Sequence, residues 1–242
     1  MLATDRKLPV SGGAEKRSYV RGMFHAIAPS YDFLNHLLSL NLDKRWRRKA
    51  VERLNWEQLP NGRYLDLCAG TLDLAATLAR QPEFRGLVVG SDFVPRMLQL
   101  GRGKADRIAS VTADALDLPH PDATFDGATV GFGVRNLMDL DAGLREAARV
   151  LKPGARFVIL EMSIPHWQPL RGLFLLYFRH LLPSIGRLVS RHSNAYTWLP
   201  ESVLAFPEPK ALAVRMAAAG FRDVTWSLLF GGICALHVGT RA

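Results

Sequence analysis

Short apolar runs alternate with amphipathic segments through the middle of the chain, and this alternation predicts the fold. From about Arg63 the apolar runs have the length of buried strands and read RYLDLCA, GLVVGSD, IASVTAD, FDGATVGF and ARFVILEM. Between them lie segments with helical spacing of apolar residues, namely LDLAATLAR, VPRMLQLGR and DAGLREAARVL. This order of strands and helices predicts an α/β fold, with a parallel sheet covered by helices on both faces.

Additional elements flank this alternating region. Residues 1–18 are polar and predict a mobile arm, whereas residues 19–60 have the apolar spacing of helices that precede the first strand. Residues 164–206 interrupt the alternation with a long basic and apolar segment, which predicts a helical insertion. The last two strand-like runs are joined across a Gly-Gly pair, as in a hairpin at a sheet edge. Residues 19–242 therefore form one predicted domain.

Composition and charge narrow the possible partners. The 242 residues include 31 Lys and Arg against 22 Asp and Glu, and the net charge of +9 favours a polyanion such as nucleic acid or an anionic membrane surface. The apolar zone PLRGLFLLYFRHLLPSIGRLV is interrupted by charges and by Pro183, so we expect no transmembrane helix. Cys68 and Cys234 have no metal-ligand spacing, so we expect no disulfide, no metal site and a cytoplasmic location.

Candidate binding residues follow successive strands at the edge where their carboxyl ends meet. Gly70 and Thr71 follow the first run, and small residues there let a ligand approach the backbone closely. Asp92 ends the second run, where a carboxylate can accept hydrogen bonds from both hydroxyls of a ribose. Asp114 ends the third run and Ala115 follows it, and both are expected to contact an adenine ring. Because the G-x-G-x-x-G fingerprint of a dinucleotide site is absent, this order favours S-adenosylmethionine.

Leu72 occupies a position at which cofactor loops usually have glycine. We expect it to lie in the first turn of the following helix with a negative φ, so that its side chain points away from the cofactor and packs on neighbouring helices. A positive φ at this position would cost a leucine about 1–3 kcal/mol.

Three longer stretches resemble the quinone-biosynthesis C-methyltransferases. YDFLNHLLSLNLDKRW at 31–46 is similar to the N-terminal signature of that family, RVLKPGARFVILEMS at 149–163 to its second signature, and FGVRN at 132–136 to its fourth-strand motif. The resemblance covers residues 20–241. It implies the seven-stranded sheet of class I methyltransferases, S-adenosylmethionine as cofactor, and a reduced polyprenyl quinone precursor as substrate, either demethylmenaquinol or 2-polyprenyl-6-methoxy-1,4-benzoquinol.

The resemblance also assigns roles to individual residues. It implies contacts with the methyl donor at Thr71, Asp92, Asp114 and Ala115. Gly131 stands where members often have a serine, and it offers only backbone atoms to the cofactor. The family's loop usually reads Gly-Gly-Thr-Gly-Asp, whereas this chain has Ala-Gly-Thr-Leu-Asp.

Methylation of a ring carbon requires an electron-rich ring, so the quinone must be reduced and lose a proton from a hydroxyl group. The pKa of such a hydroxyl is about 10, so the site needs a base, a cation or both. Arg135 is the predicted cation, which would hold a water that removes the proton, and Asn136 is predicted to orient that water or the ring. Alternatively, Arg135 pairs with a carboxylate such as Asp139 and only braces the loop. His192 and Tyr196 are alternative acid and base groups.

The helices at 19–60 and the insertion at 164–206 are predicted to wall the substrate site. The basic and apolar stretch WQPLRGLFLLYFRHLLPSIGRLVSRH is predicted to lie peripherally on an anionic bilayer, with a core-packed helix as the alternative. An RNA methyltransferase and a non-catalytic scaffold are the competing functions. The tetrapeptides Asn-Pro-Pro-Tyr and Asp-Pro-Pro-Tyr are absent, so no nucleic-acid partner is expected. A homodimer is left open.

Overall fold

Seven strands form one central sheet in the computed structural model, which describes residues 8–10, 13–178 and 194–242, with only the backbone at 194–196. The strands are β1 (Arg63–Leu67), β2 (Leu87–Asp92), β3 (Ile108–Thr112), β4 (Phe125–Gly131), β5 (Leu151–Met162), β6 (Phe221–Leu229) and β7 (Cys234–Arg241). Their order is β3-β2-β1-β4-β5-β7-β6. The first five run parallel, and β7 is antiparallel between β5 and β6. The predicted α/β fold and its closing hairpin are confirmed.

Helices cover both faces of the sheet. Within the described ranges they are α1 (Gly13–Ile27), α2 (Tyr31–Leu38), α3 (Leu42–Leu54), α4 (Asp73–Ala79), α5 (Pro95–Gly101), α6 (Leu140–Val150), α7 (Gln168–Leu176), α8 (Asn194–Leu204) and α9 (Pro209–Ala218). Along β5, Phe157 and Ile159 belong to one core cluster, whereas Val158 and Leu160 belong to another. Because alternate residues of a strand point to opposite faces, this central strand is buried on both sides and its sequence is continuously apolar.

The helix α1 begins within the segment expected to be a mobile arm. Gly13 starts the helix, and the side chain of Lys16 is buried. The Lys16 ammonium donates hydrogen bonds to the carbonyls of Arg135 at 3.1 Å and Leu137 at 2.7 Å. The expectation of a mobile arm is therefore wrong for residues 13–18, because a lysine in a polar stretch reaches acceptors far along the chain.

A buried polar network joins α2, α3 and α4. Asp43 accepts a hydrogen bond from the Ser39 hydroxyl at 2.7 Å, lies 2.8 Å from the His36 ring and forms an ion pair with Arg47. Arg47 also reaches Asp73 at the start of α4, at 3.4 Å. Burial opposes ionisation of Asp43, but Arg47 and the hydrogen bonds outweigh it and lower the pKa of its carboxyl group. The network fixes the N-terminal helices on the loop that follows β1.

The described part of the insertion at 164–206 contains the helices α7 and α8. Much of the stretch expected to lie on a bilayer falls in 179–193, outside the described residues. His192 also lies outside them, as does the side chain of Tyr196. Among the described helices, none is long and apolar enough to cross a membrane. The described residues also contain no group of three or more His, Cys, Asp or Glu that could hold a metal ion.

Candidate cofactor and substrate site

The loop after β1 has an unusual backbone. Cys68, Gly70 and Leu72 have φ values of 53°, 51° and 65°, so three of its residues lie in the left-handed region. Leu72 immediately precedes α4, and the expectation that it has a negative φ is wrong. Its side chain is buried, as expected, but the space for it is made by two glycines. A Cβ at Gly90 in β2 or at Gly101 in α5 would collide with the Leu72 side chain.

A cavity opens where the carboxyl ends of the parallel strands meet. Its empty volume, which includes space open to solvent, is about 610 Å³. Asp92 and Asp114 are the charged residues of its lining, and no Lys or Arg of the described residues lines it. The rest of the lining is apolar or neutral and consists of Phe24, Tyr31, Cys68, Gly70, Ser91, Phe93, Met97, Ala113, Ala115, Gly131, Phe132, Gly133, Asn136, Leu137 and Met138.

Asp92 is fixed at the end of β2 by backbone hydrogen bonds. One carboxylate oxygen accepts from the amide of Gly70 and the other from the amide of Val94, both at 2.8 Å. Each carboxylate oxygen can accept a second hydrogen bond, so Asp92 can still bind two hydroxyl groups of a ligand. Burial raises the pKa of its carboxyl group to about 6. Beside it, the Ser91 hydroxyl is buried and has no hydrogen-bond partner within the described part of the chain.

Asp66 supports the same loop from below. One of its oxygens accepts a hydrogen bond from the amide of Ala75 in the first turn of α4, at 2.9 Å. Burial raises the pKa of this carboxyl group to about 7. Asp66 does not line the cavity. Its contribution to the site is indirect, because its carboxyl group holds the first turn of α4, the helix that follows the loop.

Asp114 and Ala115 come after β3 in the chain and also line the cavity. The Asp114 carboxylate accepts a hydrogen bond from the amide of Leu116 at 3.1 Å and forms an ion pair with Arg17 of α1 at 2.8 Å. The Arg17 side chain is 56% exposed, so water competes for this pair and it is easily broken. The carboxylate predicted to face adenine is therefore held by α1 in this structure.

Thr71 lies outside the cavity to which the sequence assigned it, whereas Gly131 lines that cavity. The Thr71 hydroxyl donates a hydrogen bond to Asp32 of α2, and Thr71 does not line the cavity. Asp32 in turn accepts from Lys104 at 2.6 Å, so Thr71 holds the loop to α2. Gly131 lines the cavity, and a Cβ there would lie 3.3 Å from Leu74, which leaves little room for a serine.

Arg135 lies next to the cavity but does not line it. It belongs to the short 3₁₀ turn Val134–Asn136 after β4. Its guanidinium forms an ion pair with Glu161 at 2.5 Å and donates to the carbonyl of Phe132 at 2.6 Å. The Arg135 side chain is 9% exposed and is not part of the cavity lining. The expected partner Asp139 instead caps α6 through the amide of Ala142. An ion pair that braces the loop is thus present, with a different carboxylate.

Asn136 reaches the cavity, and its amide is tied to the insertion. Its carbonyl oxygen accepts a hydrogen bond from the indole of Trp198 in α8, at 2.9 Å. Its NH₂ group makes a long hydrogen bond of 3.4 Å to the carbonyl of Phe132. Tyr31 also lines the cavity, and burial raises the pKa of its hydroxyl, so it stays protonated at neutral pH.

Two lining residues were not predicted as site residues from the sequence: Tyr31 was identified only as part of a signature stretch, and Ser91 was not identified at all. Both were visible as signals, since Tyr31 opens the signature stretch and Ser91 directly precedes Asp92. The predicted residues Gly70, Asp92 and Asp114 do line one cavity, together with the other residues named above.

The cavity fits a ligand that carries hydroxyl groups, an amine and a positive charge. Its acidic wall favours a cation, and Ser91 and Asp92 leave acceptors and a donor free for polar groups. Its lining has no described cation for a phosphate. At Gly70, the positive φ and the absence of a Cβ let the backbone form part of the wall. These features suit a sulfonium nucleoside such as S-adenosylmethionine.

The sheet order, the glycine loop after β1 and the acidic residue after β2 together define a class I methyltransferase fold. A possible histamine N-methyltransferase from Thermotoga maritima, described as dependent on S-adenosylmethionine, has a similar structure, with a TM-score of 0.56. The two are 19% identical, and the match covers 91% of this chain and all of that chain.

The chain belongs to the ubiE/COQ5 methyltransferase family, whose model matches residues 13–241. A demethylmenaquinone methyltransferase from Deinococcus radiodurans is 47% identical, over 99% of this chain and all of that protein. A ubiquinone/menaquinone biosynthesis C-methyltransferase from Geobacter sulfurreducens is 43% identical, over 98% of this chain and 94% of that protein. The class of enzyme predicted from the sequence, a methyltransferase, is confirmed.

Proposed function

We propose that the chain is a C-methyltransferase of quinone biosynthesis, which moves a methyl group from S-adenosylmethionine to a ring carbon of a reduced polyprenyl quinone precursor. The observation that carries the proposal is a match to the ubiE/COQ5 family along nearly the whole chain, with an acidic cavity at the edge of the sheet where parallel strands end. The names of the two relatives refer to demethylmenaquinone and to ubiquinone/menaquinone biosynthesis. The candidate acceptors remain the two that the sequence resemblance implies, demethylmenaquinol and 2-polyprenyl-6-methoxy-1,4-benzoquinol.

Five residues would hold the cofactor. Asp92 would accept hydrogen bonds from ribose hydroxyls, Asp114 and Ala115 would contact the adenine, and the backbones of Gly70 and Gly131 would form the rest of the wall. When bound, S-adenosylmethionine supplies an electrophilic methyl group on a positively charged sulfur. Asp114 also pairs with Arg17, and each of its carboxylate oxygens can accept a second hydrogen bond, from the adenine amine.

Two hydrogen-bond donors on the cavity wall would act on the quinol. The Tyr31 hydroxyl stays protonated because burial raises its pKa, and the NH₂ group of Asn136 is a donor by nature. Both would stabilise negative charge on a quinol oxygen, which increases electron density on the neighbouring ring carbon. Arg135 contributes a positive charge behind the wall, but Glu161 offsets much of it.

Removal of Arg135 tests its part in this chemistry. We expect Arg135→Ala to lose most turnover, because its guanidinium holds the Phe132 carbonyl to which the Asn136 amide also donates. Binding of S-adenosylmethionine should be kept, because Arg135 lies outside the cavity lining. The change also leaves Glu161 buried and unpaired, which costs about 3–5 kcal/mol of stability. The double variant Arg135→Met and Glu161→Met removes that cost and is therefore the variant to assay. Unchanged turnover in the double variant would remove Arg135 from the mechanism.

The proposed function is tested by methyl transfer from labelled S-adenosylmethionine to chemically reduced demethylmenaquinone and reduced polyprenyl-methoxybenzoquinone, with bulk RNA as a third acceptor. A C-methylated quinol supports the proposal and identifies the acceptor. Label in RNA alone would replace it with an RNA methyltransferase. Absence of both cofactor binding and product would indicate a non-catalytic scaffold.

We further propose that the protein binds peripherally to an anionic membrane, where a polyprenyl substrate resides. In support, helix α2 and the loop after it, together with α7 and the residue before it, expose six large apolar side chains. These are Phe33, Leu37, Leu40, Trp167, Leu173 and Leu176. The Tyr177 hydroxyl, just after α7, donates to the carbonyl of Leu38 at 3.2 Å, so the ends of α2 and α7 lie side by side. We name these six residues the apolar face.

A further inference from the structure

A hydrogen bond joins α8 of the insertion to the 3₁₀ turn that follows β4. Trp198 of α8 is 2% exposed, and its indole N–H donates to the amide oxygen of Asn136 at 2.9 Å. The Trp198 ring also packs against Tyr19 of α1, with ring centres 5.1 Å apart. Trp198 is thus held between α1 and the loop, and its N–H group points at a residue that lines the cavity.

The chemistry of the indole decides how the Asn136 amide is oriented. An indole N–H can only donate a hydrogen bond, so the atom of Asn136 that faces it must be the carbonyl oxygen. The NH₂ group is then on the other side of the amide, where its one hydrogen bond within the described residues is the 3.4 Å bond to Phe132. With its oxygen held by the indole, Asn136 has its NH₂ group as the donor that it can offer to a ligand in the cavity that it lines.

We infer that Trp198 is a positioning residue for methyl transfer, which locks the Asn136 amide with its NH₂ group toward the quinol oxygen. This inference rests on the proposed function. Without the indole N–H, rotation of the amide by 180° would turn its oxygen toward the cavity, where it would repel negative charge developing on the quinol. Trp198 touches neither cofactor nor substrate in this scheme and acts only through Asn136.

The substitution Trp198→Phe tests the inference, because it removes the N–H group and keeps an aromatic ring against Tyr19. We expect kcat to fall about tenfold, the order of one neutral hydrogen bond, with KM for both substrates changed less than about twofold. Trp226→Phe is the matched control, since Trp226 lies on the edge strand β6 and stacks on His237 away from the cavity. An unchanged kcat in Trp198→Phe would overturn the inference.

A double-mutant cycle separates positioning from a general structural role. Asn136→Ala should lower kcat by about a hundredfold or more, as the loss of a donor to a developing oxyanion does. If Trp198 acts through Asn136, adding Trp198→Phe to Asn136→Ala should change kcat less than about twofold. A further tenfold loss in the double variant would show that Trp198 acts by another route and would overturn the inference.

Two further measurements use only variants of Asn136, so they test the inference even if Trp198→Phe does not fold. In the ¹H–¹⁵N spectrum, the indole proton signal of Trp198 should move upfield in Asn136→Ala, which has no acceptor, and should not move upfield in Asn136→Asp, which keeps an oxygen acceptor. Asn136→Asp should nevertheless lose activity, because it has no NH₂ group. An unshifted indole signal in Asn136→Ala, or an active Asn136→Asp, would overturn the inference. A wild-type enzyme inactive on both quinols would instead reject the proposed function.

Discussion

Leu72 shows how a single residue can keep an unfavourable backbone conformation. A left-handed φ costs a leucine about 1–3 kcal/mol, whereas burial of its side chain contributes about 1.5–3 kcal/mol. The side chain can be buried because Gly90 of β2 and Gly101 of α5 have no Cβ atoms, which would overlap the space that the leucine occupies. The sequence shows that glycine is missing from the loop, but the compensating glycines are distant along the chain, so the φ of Leu72 could not be predicted.

We expect Gly90→Ala to destabilise the protein by about 1–3 kcal/mol, because the new methyl group collides with the Leu72 side chain. In a Leu72→Ala background the collision is removed, and the cost of Gly90→Ala should fall below about 1 kcal/mol. Urea unfolding of the four proteins in this cycle measures both values.

Gly22→Ala is the matched control for this cycle. Gly22 lies within α1, and a Cβ there meets nothing within 4 Å, so the change should stabilise the helix by up to about 1 kcal/mol. Equal costs of Gly90→Ala in both backgrounds would show that Leu72 does not fill the space above Gly90.

The ionisation of Asp92 should make cofactor binding depend on pH. Burial raises its pKa to about 6, so its carboxyl group becomes protonated as the pH falls through 6 and loses acceptor capacity for ribose hydroxyls. We expect full affinity for S-adenosylmethionine above pH 7 and a loss approaching tenfold per unit well below pH 6. Calorimetric titration between pH 5 and 8 measures this dependence.

Two variants test whether Asp92 is the group responsible for this pH dependence. Asp92→Asn should bind the cofactor at least about tenfold more weakly at pH 8, with little further loss on acidification, because the titrating group is gone. Asp223→Asn is the control, since Asp223 is 74% exposed and lies on the edge strand. If Asp92→Asn retained the pH dependence of the wild type, another group would be responsible for it.

Among the elements, α1 departs most from what the sequence predicted. Its first turns are polar, and nothing in their local pattern indicates that Lys16 and Arg17 bind residues more than 90 positions away. The strands and most helices could be predicted, because their apolar spacing is local. The site shows the same difference between local and long-range features. Gly70, Asp92 and Asp114 could be predicted because each lies at the end of a strand. The ion pair of Arg135 with Glu161 could not, because it depends on how β5 lies beside β4.

The ammonium of Lys16 should be essential for holding α1 on the site. Burial lowers its pKa, and its two carbonyl acceptors offset the loss of water. We expect Lys16→Met to leave the sheet intact and to speed amide hydrogen exchange in α1 by at least about tenfold, because the helix loses both hydrogen bonds. Arg21→Met, at an exposed position of the same helix, is the control. Unchanged exchange in Lys16→Met would mean that the apolar contacts of α1 suffice.

At the scale of the whole molecule, two surface properties favour binding to an anionic membrane: the positive net charge and the exposed apolar side chains. The net charge of +9 draws the protein toward anionic lipid, and the apolar face on α2 and α7 can then enter the headgroup region. The basic helix α3 directly follows α2 and exposes Lys44, Arg45, Arg48 and Lys49. A surface with both features binds lipid in a way that depends on salt, because screening weakens only the electrostatic part.

Replacement of Phe33, Leu37 and Leu40 by serine should therefore reduce binding to phosphatidylglycerol vesicles at least about tenfold, since each side chain gives up burial worth about 1.5–3 kcal/mol. Turnover of a water-soluble quinol with a short tail should change less than about twofold, because these side chains are exposed. Val214→Ser, a 63% exposed position in α9, controls for loss of apolar area elsewhere. Cosedimentation at low and high salt measures the binding. If the triple variant bound vesicles as tightly as the wild type, the charge alone would account for attachment and the apolar face would have another partner.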